Sequence, residues 1–439
     1  MPNITTTPER QELAEGIYFN RIPIDKFKTE HLSIRFITPL TNAAAASRVA
    51  LLPLVLLRGC RNYPTAADLT KRQEELYSAN LTGSVFKFGD QQGVLFSVSA
   101  LRRRFVPDGQ AILPEAVRLL TEVIFDPVLD PQSAVFLENY VEREKQNLIH
   151  RIRAVQNNKA AYAAQRCEEI MHAGEAYGLN KFGTVEEVAR ITPASLYTSY
   201  RTLLSEARIE IFYEGTEDSE QVLSYVRPVI ERIRRYPSAT EVKLTRGQKV
   251  RRKTVTEHTE AAQARLCLGF RTGISFADRD ALTLTLCNYV YAASPTSKLF
   301  VNVREKLSLC YSCSSLLSLS SGVLMVAAGL ETAKRRRAIR EIRAQLRKMR
   351  AGKITERELM MAKKTLEGGY LSLYDSPMAL ENWYLVRFVF GADTDLEATR
   401  AAIADIAVKD IARVASAIKL DTVYFLRAEH GGEEAEEDE

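Results

Sequence analysis

No stretch of the 439-residue sequence approaches the roughly 18 consecutive apolar residues that a membrane helix needs. The opening, MPNITTTPERQELAEG, is polar and acidic and has none of the marks of a secretory signal. Cysteine is scarce. Six residues (Cys60, Cys167, Cys267, Cys287, Cys310 and Cys313) lie scattered through apolar segments, which excludes a disulfide framework and sets a reduced, cytoplasmic compartment as the expectation. With 21 Gly and 15 Pro, collagen-like and low-complexity classes are excluded too. Neither a glycine-rich phosphate loop nor a Ser-His-Asp arrangement stands out. What remains is ordinary globular material, 46% apolar and 26% charged. A chain of this length suits about two to four domains, each able to bury its own core.

The net charge of +5 conceals an asymmetry. The last eleven residues, EHGGEEAEEDE, hold seven acids and neither Lys nor Arg, so the rest of the chain stands at +12. Such a run reads as a disordered, solubilising terminus. The opposite extreme is KRRRAIREIRAQLRKMR (334–350), with nine basic residues and one acid. Its apolar Ile339, Ile342, Leu346 and Met349 recur at helical spacing, which predicts an amphipathic helix with a solvated basic face. A nucleic-acid stripe would want interleaved aromatics or a recognised binding module, and neither is there.

The pattern is written twice. HLSIRFIT (31–38) opens one half and ARLCLGFRT (264–272) the other. GVLFSVSAL (93–101) and GVLMVAAGL (322–330) are nearly the same phrase 229 residues apart. Each follows a strand-like run across a short polar turn, which predicts antiparallel hairpins. Long helical stretches follow at 133–172 and 355–370. Each half then closes with a helix (TPASLYTSYRTLL or VKDIARVASAI) and a strand, RIEIFYEG (208–215) or DTVYFLRA (421–428). The expectation is an α+β fold of two homologous tandem domains, each a mostly antiparallel sheet packed with helices. The expected boundaries are 1–236 for the first domain, 237–253 for a polar, basic linker, 254–428 for the second domain, and 429–439 for the acidic tail.

On this order of elements, and on LRGCRNYP (57–64), EREKQNL (142–148), ITPASLYTSYRTLL (191–204) and SKLFVNVREKLSLCYS (297–312), the chain resembles the insulinase (pitrilysin) family of zinc peptidases. The resemblance covers nearly the whole chain and implies LuxS/metallohydrolase-like domains. EREKQNLIHRI, NNKAAYAAQRCEEIM and YEGTED are similar to a bacterial subgroup associated with elongation factor P modification, although no residue here specifies such a role. Active members of the family carry His-x-x-Glu-His on a helix. Two His four apart lie on one helical face and hold Zn²⁺, the Glu between them acts as general base, and a Glu from a later helix completes the metal site.

Counting back nine residues from Gly59 puts the expected metal positions at Ala50, Pro53 and Leu54, and EREK puts the third ligand at Arg151. None of the four has a donor to offer zinc, and Pro53 stands where the general base should be. The five histidines (31, 150, 172, 258, 430) include no pair at i, i+4 that could replace the motif. The resemblance therefore implies a degenerate zinc site, no cofactor in this chain, and Zn in a partner subunit. Pro53 inside an apolar run predicts a kinked or broken, buried helix, since an interior proline costs about 3 kcal/mol.

SKLFVNVREKLSLCYS keeps a second-domain phrase of the family. In the family's two-subunit enzymes an Arg and a Tyr from this phrase reach the substrate, and they correspond here to Arg304 and Tyr311. A guanidinium fork and a phenol can hold peptide carbonyls or a carboxylate. Read without the resemblance, Arg304 is an exposed cation beside Glu305 and Lys306, and Tyr311 a half-buried strand residue. Ser294-Pro295 predicts the N-cap and first residue of the helix, although ASPTS (293–297) stands where the family has a glycine-rich lead-in. Cys310-x-x-Cys313 lacks a second pair or a nearby His and reads as buried thiols. Cys167 and His172 diverge around a helix by about 140°. EHTE (257–260) reads as a surface acidic cluster.

The expectation is a non-catalytic subunit that pairs with a zinc-bearing homologue, forms half of a closed peptide chamber and contributes Arg304 and Tyr311. A homodimer is open to it where no partner is present, and neither nucleic acid nor membrane is an expected partner. The alternative is a structural scaffold with no role in proteolysis. An independent peptidase with a relocated metal comes last, because no ligand cluster is visible in the sequence.

Overall fold

A computed structural model describes residues 8–236, 250 and 252–429. Most of the expected linker and the acidic tail from residue 430 onward lie outside the described residues. Contacts divide the chain into two units, Met1–Arg153 with Leu179–Val242, and Ala154–Gly178 with Lys243–Glu439. The repeats drawn in the sequence and these packing units are different divisions, because the segment 154–178 belongs to the first repeat and packs with the second sheet.

The first unit is built on a six-stranded sheet of β1 (Glu9–Ala14), β2 (Ile17–Pro23), β3 (Thr29–Pro39), β4 (Asn80–Phe88), β5 (Gln91–Leu101) and β6 (Arg208–Gly215). Their order is β1-β2-β6-β3-β5-β4, antiparallel throughout except for the β2–β6 pair. Period-2 alternation sends Leu32, Ile34 and Phe36 of β3 into the core and puts His31, Ser33 and Arg35 on the other face. The helices of this unit are α1 (Ala43–Leu56), α2 (Ala66–Glu75), α3 (Leu113–Phe125), α4 (Glu138–Ala154), α6 (Val185–Ala189), α7 (Pro193–Glu206) and α8 (Ser219–Ile230). Thr192 caps α7, followed by Pro193 at its first position.

The second unit repeats the plan with β7 (Lys253–Thr259), β8 (Ala264–Arg271), β9 (Ser312–Ser318), β10 (Val323–Leu330) and β11 (Lys419–Ala428), in the order β7-β11-β8-β10-β9. Exchanging β2, β6, β3, β5 and β4 for β7, β11, β8, β10 and β9 reproduces both order and sense, including the parallel pair, now β7–β11. The internal repeat expected from the two hairpin phrases is thus a repeat of topology, and the fold is α+β as expected. The helices here are α5 (Lys159–Met171), α9 (Ala281–Asn288), α10 (Arg335–Arg350), α11 (Glu356–Ser372), α12 (Pro377–Phe390), α13 (Leu396–Ala401) and α14 (Val408–Ala417). Leu266, Leu268 and Phe270 of β8 share a core with Ile342, Leu346 and Met349 of α10. Cys267, on the opposite face, packs with Ala163 and Cys167 of α5.

Three local expectations are corrected. The stretch 133–172 is two helices, α4 and α5, because the Asn158 side chain accepts from Ala161 N at 3.1 Å and starts a new helix. The helix holding Pro53 is not broken. It runs through the proline to Leu56: Pro53 lacks its own N–H, but its carbonyl still accepts from Leu57 N at 3.2 Å, and burial in the apolar core holds the turn. Glu257 is not a free surface acid. It lies within β7 and accepts from Arg166 at 2.8 Å and from the Tyr424 hydroxyl at 2.8 Å.

Candidate functional site

The expected metal positions fall on α1 and α4, both in the first unit. Ala50 is 1% exposed in the apolar core, Pro53 is buried, and Leu54 packs against the same cluster. Strand β4 presses directly on this helix: a Cβ at Gly83 would stand 2.8 Å from Leu57 and 3.2 Å from the Pro53 side chain. Arg151 is exposed near the end of α4, its guanidinium 5.1 Å from the centre of the Phe182 ring. The Lys181 ammonium lies 5.2 Å from the same ring and donates to Val85 O, while Lys87 donates to Leu179 O. Burial, then the charges of Arg151 and Lys87, push the Lys181 pKa down.

Zinc does not fit this donor set. The α1 positions offer only aliphatic carbon, and the third position is a cation with two more cations in its field. A divalent ion would meet repulsion where the chemistry requires carboxylate and imidazole. Among the described residues no group of three or more His, Cys, Asp or Glu is placed to hold a metal ion. Lys87, Lys181 and Phe182 escaped the sequence reading because the chain folds them onto Arg151 from distant positions. No local motif marks them.

Arg304 and Tyr311 lie in the second unit at one helix-to-strand junction. The helical segment Leu299–Lys306 carries Arg304 near its end, and Tyr311 stands one residue ahead of β9, its N–H bonded to Gly329 O. Between them Ser308 takes a left-handed φ of 48°, which turns the chain sharply. The expected cap at Ser294-Pro295 does not form. Helical geometry begins at Lys298–Leu299, and the Ser297 hydroxyl accepts from Phe300 N at 3.4 Å. The Arg304 guanidinium is exposed, 4.5 Å from the centre of the Phe300 ring. Tyr311 is 51% exposed, and its hydroxyl donates to Glu331 Oε1 at 2.8 Å. That hydrogen bond pushes its pKa up. Lys334 closes the cluster by donating to Glu331 at 2.9 Å. Glu331 and Lys334 were not legible as neighbours of Tyr311, because the β9–β10 hairpin brings them there.

The remaining candidates are structural. Cys310 and Cys313 are both buried. Burial pushes the thiols of Cys267 and Cys287 up to about 12, which leaves both inert. His172, wholly buried, holds Glu175 at 2.6 Å. Glu175 in turn accepts from Arg271 at 2.7 Å, and Arg271 donates to Asp421 at 3.1 Å.

Fold and site together define a two-repeat chain of zinc-peptidase architecture whose metal site is aliphatic and cationic. Comparison with known proteins gives the family. Residues 190–366 match the family described as peptidase M16 inactive domain. The probable inactive metalloprotease YmfF of Bacillus subtilis (strain 168) is 30% identical over 416 residues, covering 95% of this chain and 97% of that protein. A conserved protein from Enterococcus faecalis V583 superposes with a TM-score of 0.87 at 29% identity, over 97% of this chain and 100% of the other. A protease from Helicobacter pylori shares the fold at a TM-score of 0.80 and 16% identity, over 96% and 99% of the two chains. The chain belongs to the M16 (insulinase) family of metallopeptidases, among its inactive homologues.

Proposed function

We propose that this chain is the non-catalytic subunit of a heteromeric zinc peptidase, seated beside a homologue that carries His-x-x-Glu-His. The partner supplies the metal and the hydrolysis. This chain supplies half of a closed chamber and grips the peptide through Arg304 and Tyr311. A closed chamber favours short or unfolded peptides, since only a flexible chain can be enclosed whole.

One observation carries the reading. The metal positions have been absorbed into core and cationic surface, while the Arg304–Tyr311 junction stays folded and open to solvent. A chain that had lost every role toward peptides would have no reason to keep one site and erase the other. The test is kinetic. In the complex with the zinc-bearing homologue, Arg304→Ala with Tyr311→Phe lowers kcat/KM about tenfold or more, about 1.4 kcal/mol of transition-state stabilisation. The complex itself stays intact on size exclusion. Unchanged kinetics would remove the grip.

A scaffold role without proteolysis is the second reading, and the Tyr311–Glu331 hydrogen bond favours it. A phenol already donating to a neighbour has to give that bond up before it can donate to a substrate carbonyl. The scaffold reading expects stable association with partners other than peptidases and no kinetic effect of the double substitution.

A further inference from the structure

The basic helix α10 has a use that the peptide-binding proposal does not touch. Ala338, Ile342, Leu346 and Met349 bury its inner face, and Arg343, Arg347 and Arg350 follow one another at i, i+4 and i+7 along the flank. Arg252, just ahead of β7, and Lys419, the first residue of β11, come to the same place. These five cations, with Val250, Phe270, Leu346 and Leu420, line a cavity of about 600 Å³ with no carboxylate among the described residues of its wall.

Described carboxylates on the adjoining elements have partners of their own. Asp280 pairs with Arg413, Asp421 with Arg271, and Glu341 lies 3.9 Å from Lys348. Among the described residues the side chains of Arg252, Arg343, Arg347 and Lys419 make no hydrogen bond or ion pair. Arg350 is anchored, donating to the carbonyls of Ala415 and Ile418 at the end of α14. A merely solvated basic face spreads its charge outward. Here four guanidinium groups and an ammonium, drawn from three separate elements, surround one depression and repel one another until an anion enters.

We propose that this cavity binds a small polyanion bearing linked phosphates, of the nucleoside triphosphate or oligophosphate class. The volume lies in the range of small-molecule sites and is too small for a nucleic-acid strand. Four of the five cations are arginine, whose planar fork pairs with phosphate oxygens bidentately. Linked phosphates put three or four charges within the length of the cavity, whereas an acidic peptide spaces its charges a residue apart and alternates their direction. The site is independent of Arg304 and Tyr311. Phe270 and Lys419 stand at the end of β8 that pairs with Val323, whereas Tyr311 adjoins β9 at the other end of β10 and at the far edge of the sheet.

The experiment is calorimetric titration of the full chain with tripolyphosphate, ATP and an octaglutamate peptide, in about 50 mM salt so that screening does not hide the interaction. Saturable one-to-one binding of tripolyphosphate or ATP is expected, weakened at least tenfold by Arg343→Gln with Arg347→Gln. Arg337→Gln with Arg340→Gln removes the same charge from the same helix outside the cavity and leaves affinity within twofold. ATP binding more tightly than tripolyphosphate identifies a nucleotide, and equal binding identifies the phosphate chain alone. Lys419→Gln, at an exposed position on another element, provides a second weakened variant should the double change disturb the helix. Absence of saturation, equal loss in both double variants, or tighter binding of octaglutamate overturns the proposal.

Discussion

His172 is wholly buried, and burial outweighs its hydrogen bond to Glu175, so its pKa lies below the ordinary histidine value of about 6.5. As pH falls through that range the unfolded chain takes up a proton that the folded chain refuses, so stability is lost. Glu175 acts in the same direction lower down. Burial pulls its pKa up, but the hydrogen bonds from Arg271 and His172 outweigh burial and hold it below the ordinary carboxylate value. Melting temperature should therefore fall from pH 7 to pH 5, and His172→Gln should flatten that part of the profile. An unchanged slope in the variant would contradict the assignment. At the erased metal site, Arg151→Gln removes one of the charges that depress Lys181, so the Lys181 pKa should rise, as read by NMR titration of its side chain. No movement would place Arg151 outside its field.

Among the elements, the turn after α1 explains why LRGCRNYP is so recognisable. Cys60 N donates to Tyr63 O at 2.8 Å, and a Cβ on Gly59 would stand 2.2 Å from the carbonyl oxygen of Pro64, a backbone atom that cannot swing aside. Gly59→Ala should destabilise by about 1–3 kcal/mol, seen as a lower denaturation midpoint with an unchanged slope. An unshifted midpoint would show that the loop gives way freely. The same scale shows what the sequence could and could not carry. The hairpins β4–β5 and β9–β10, helices α7 and α14, and strands β3, β6, β8 and β11 were legible because each has a clean apolar period and local turn or cap chemistry. Edge strands β1 and β7 were not. ERQELA and KTVTEHT are only partly buried and read as polar segments. The break between α4 and α5 turned on one asparagine inside an otherwise continuous helical pattern. That α5 packs on β8 is a tertiary fact that no local period records. The absence of metal ligands at Ala50, Leu54 and Arg151, and of a base at Pro53, was legible from spacing to Gly59 and to EREK, but the cations Lys87 and Lys181 beside Arg151 were not, being brought in by the fold.

At the scale of the whole molecule, the chain has the doubled architecture of its M16 relatives and belongs among their inactive homologues. In its first unit α1 is packed with core residues, and its second has an exposed Arg and Tyr at a helix-to-strand junction. No described helix is long and apolar enough to cross a membrane. On the function proposed above, another subunit brings the zinc. The most direct measurement is a tagged pull-down from the native organism, with every co-purifying protein identified and quantified by mass spectrometry. The account predicts a near-stoichiometric homologue with an intact His-x-x-Glu-His. Recovery of the chain alone, or only with proteins unrelated to the peptidase family, would contradict it.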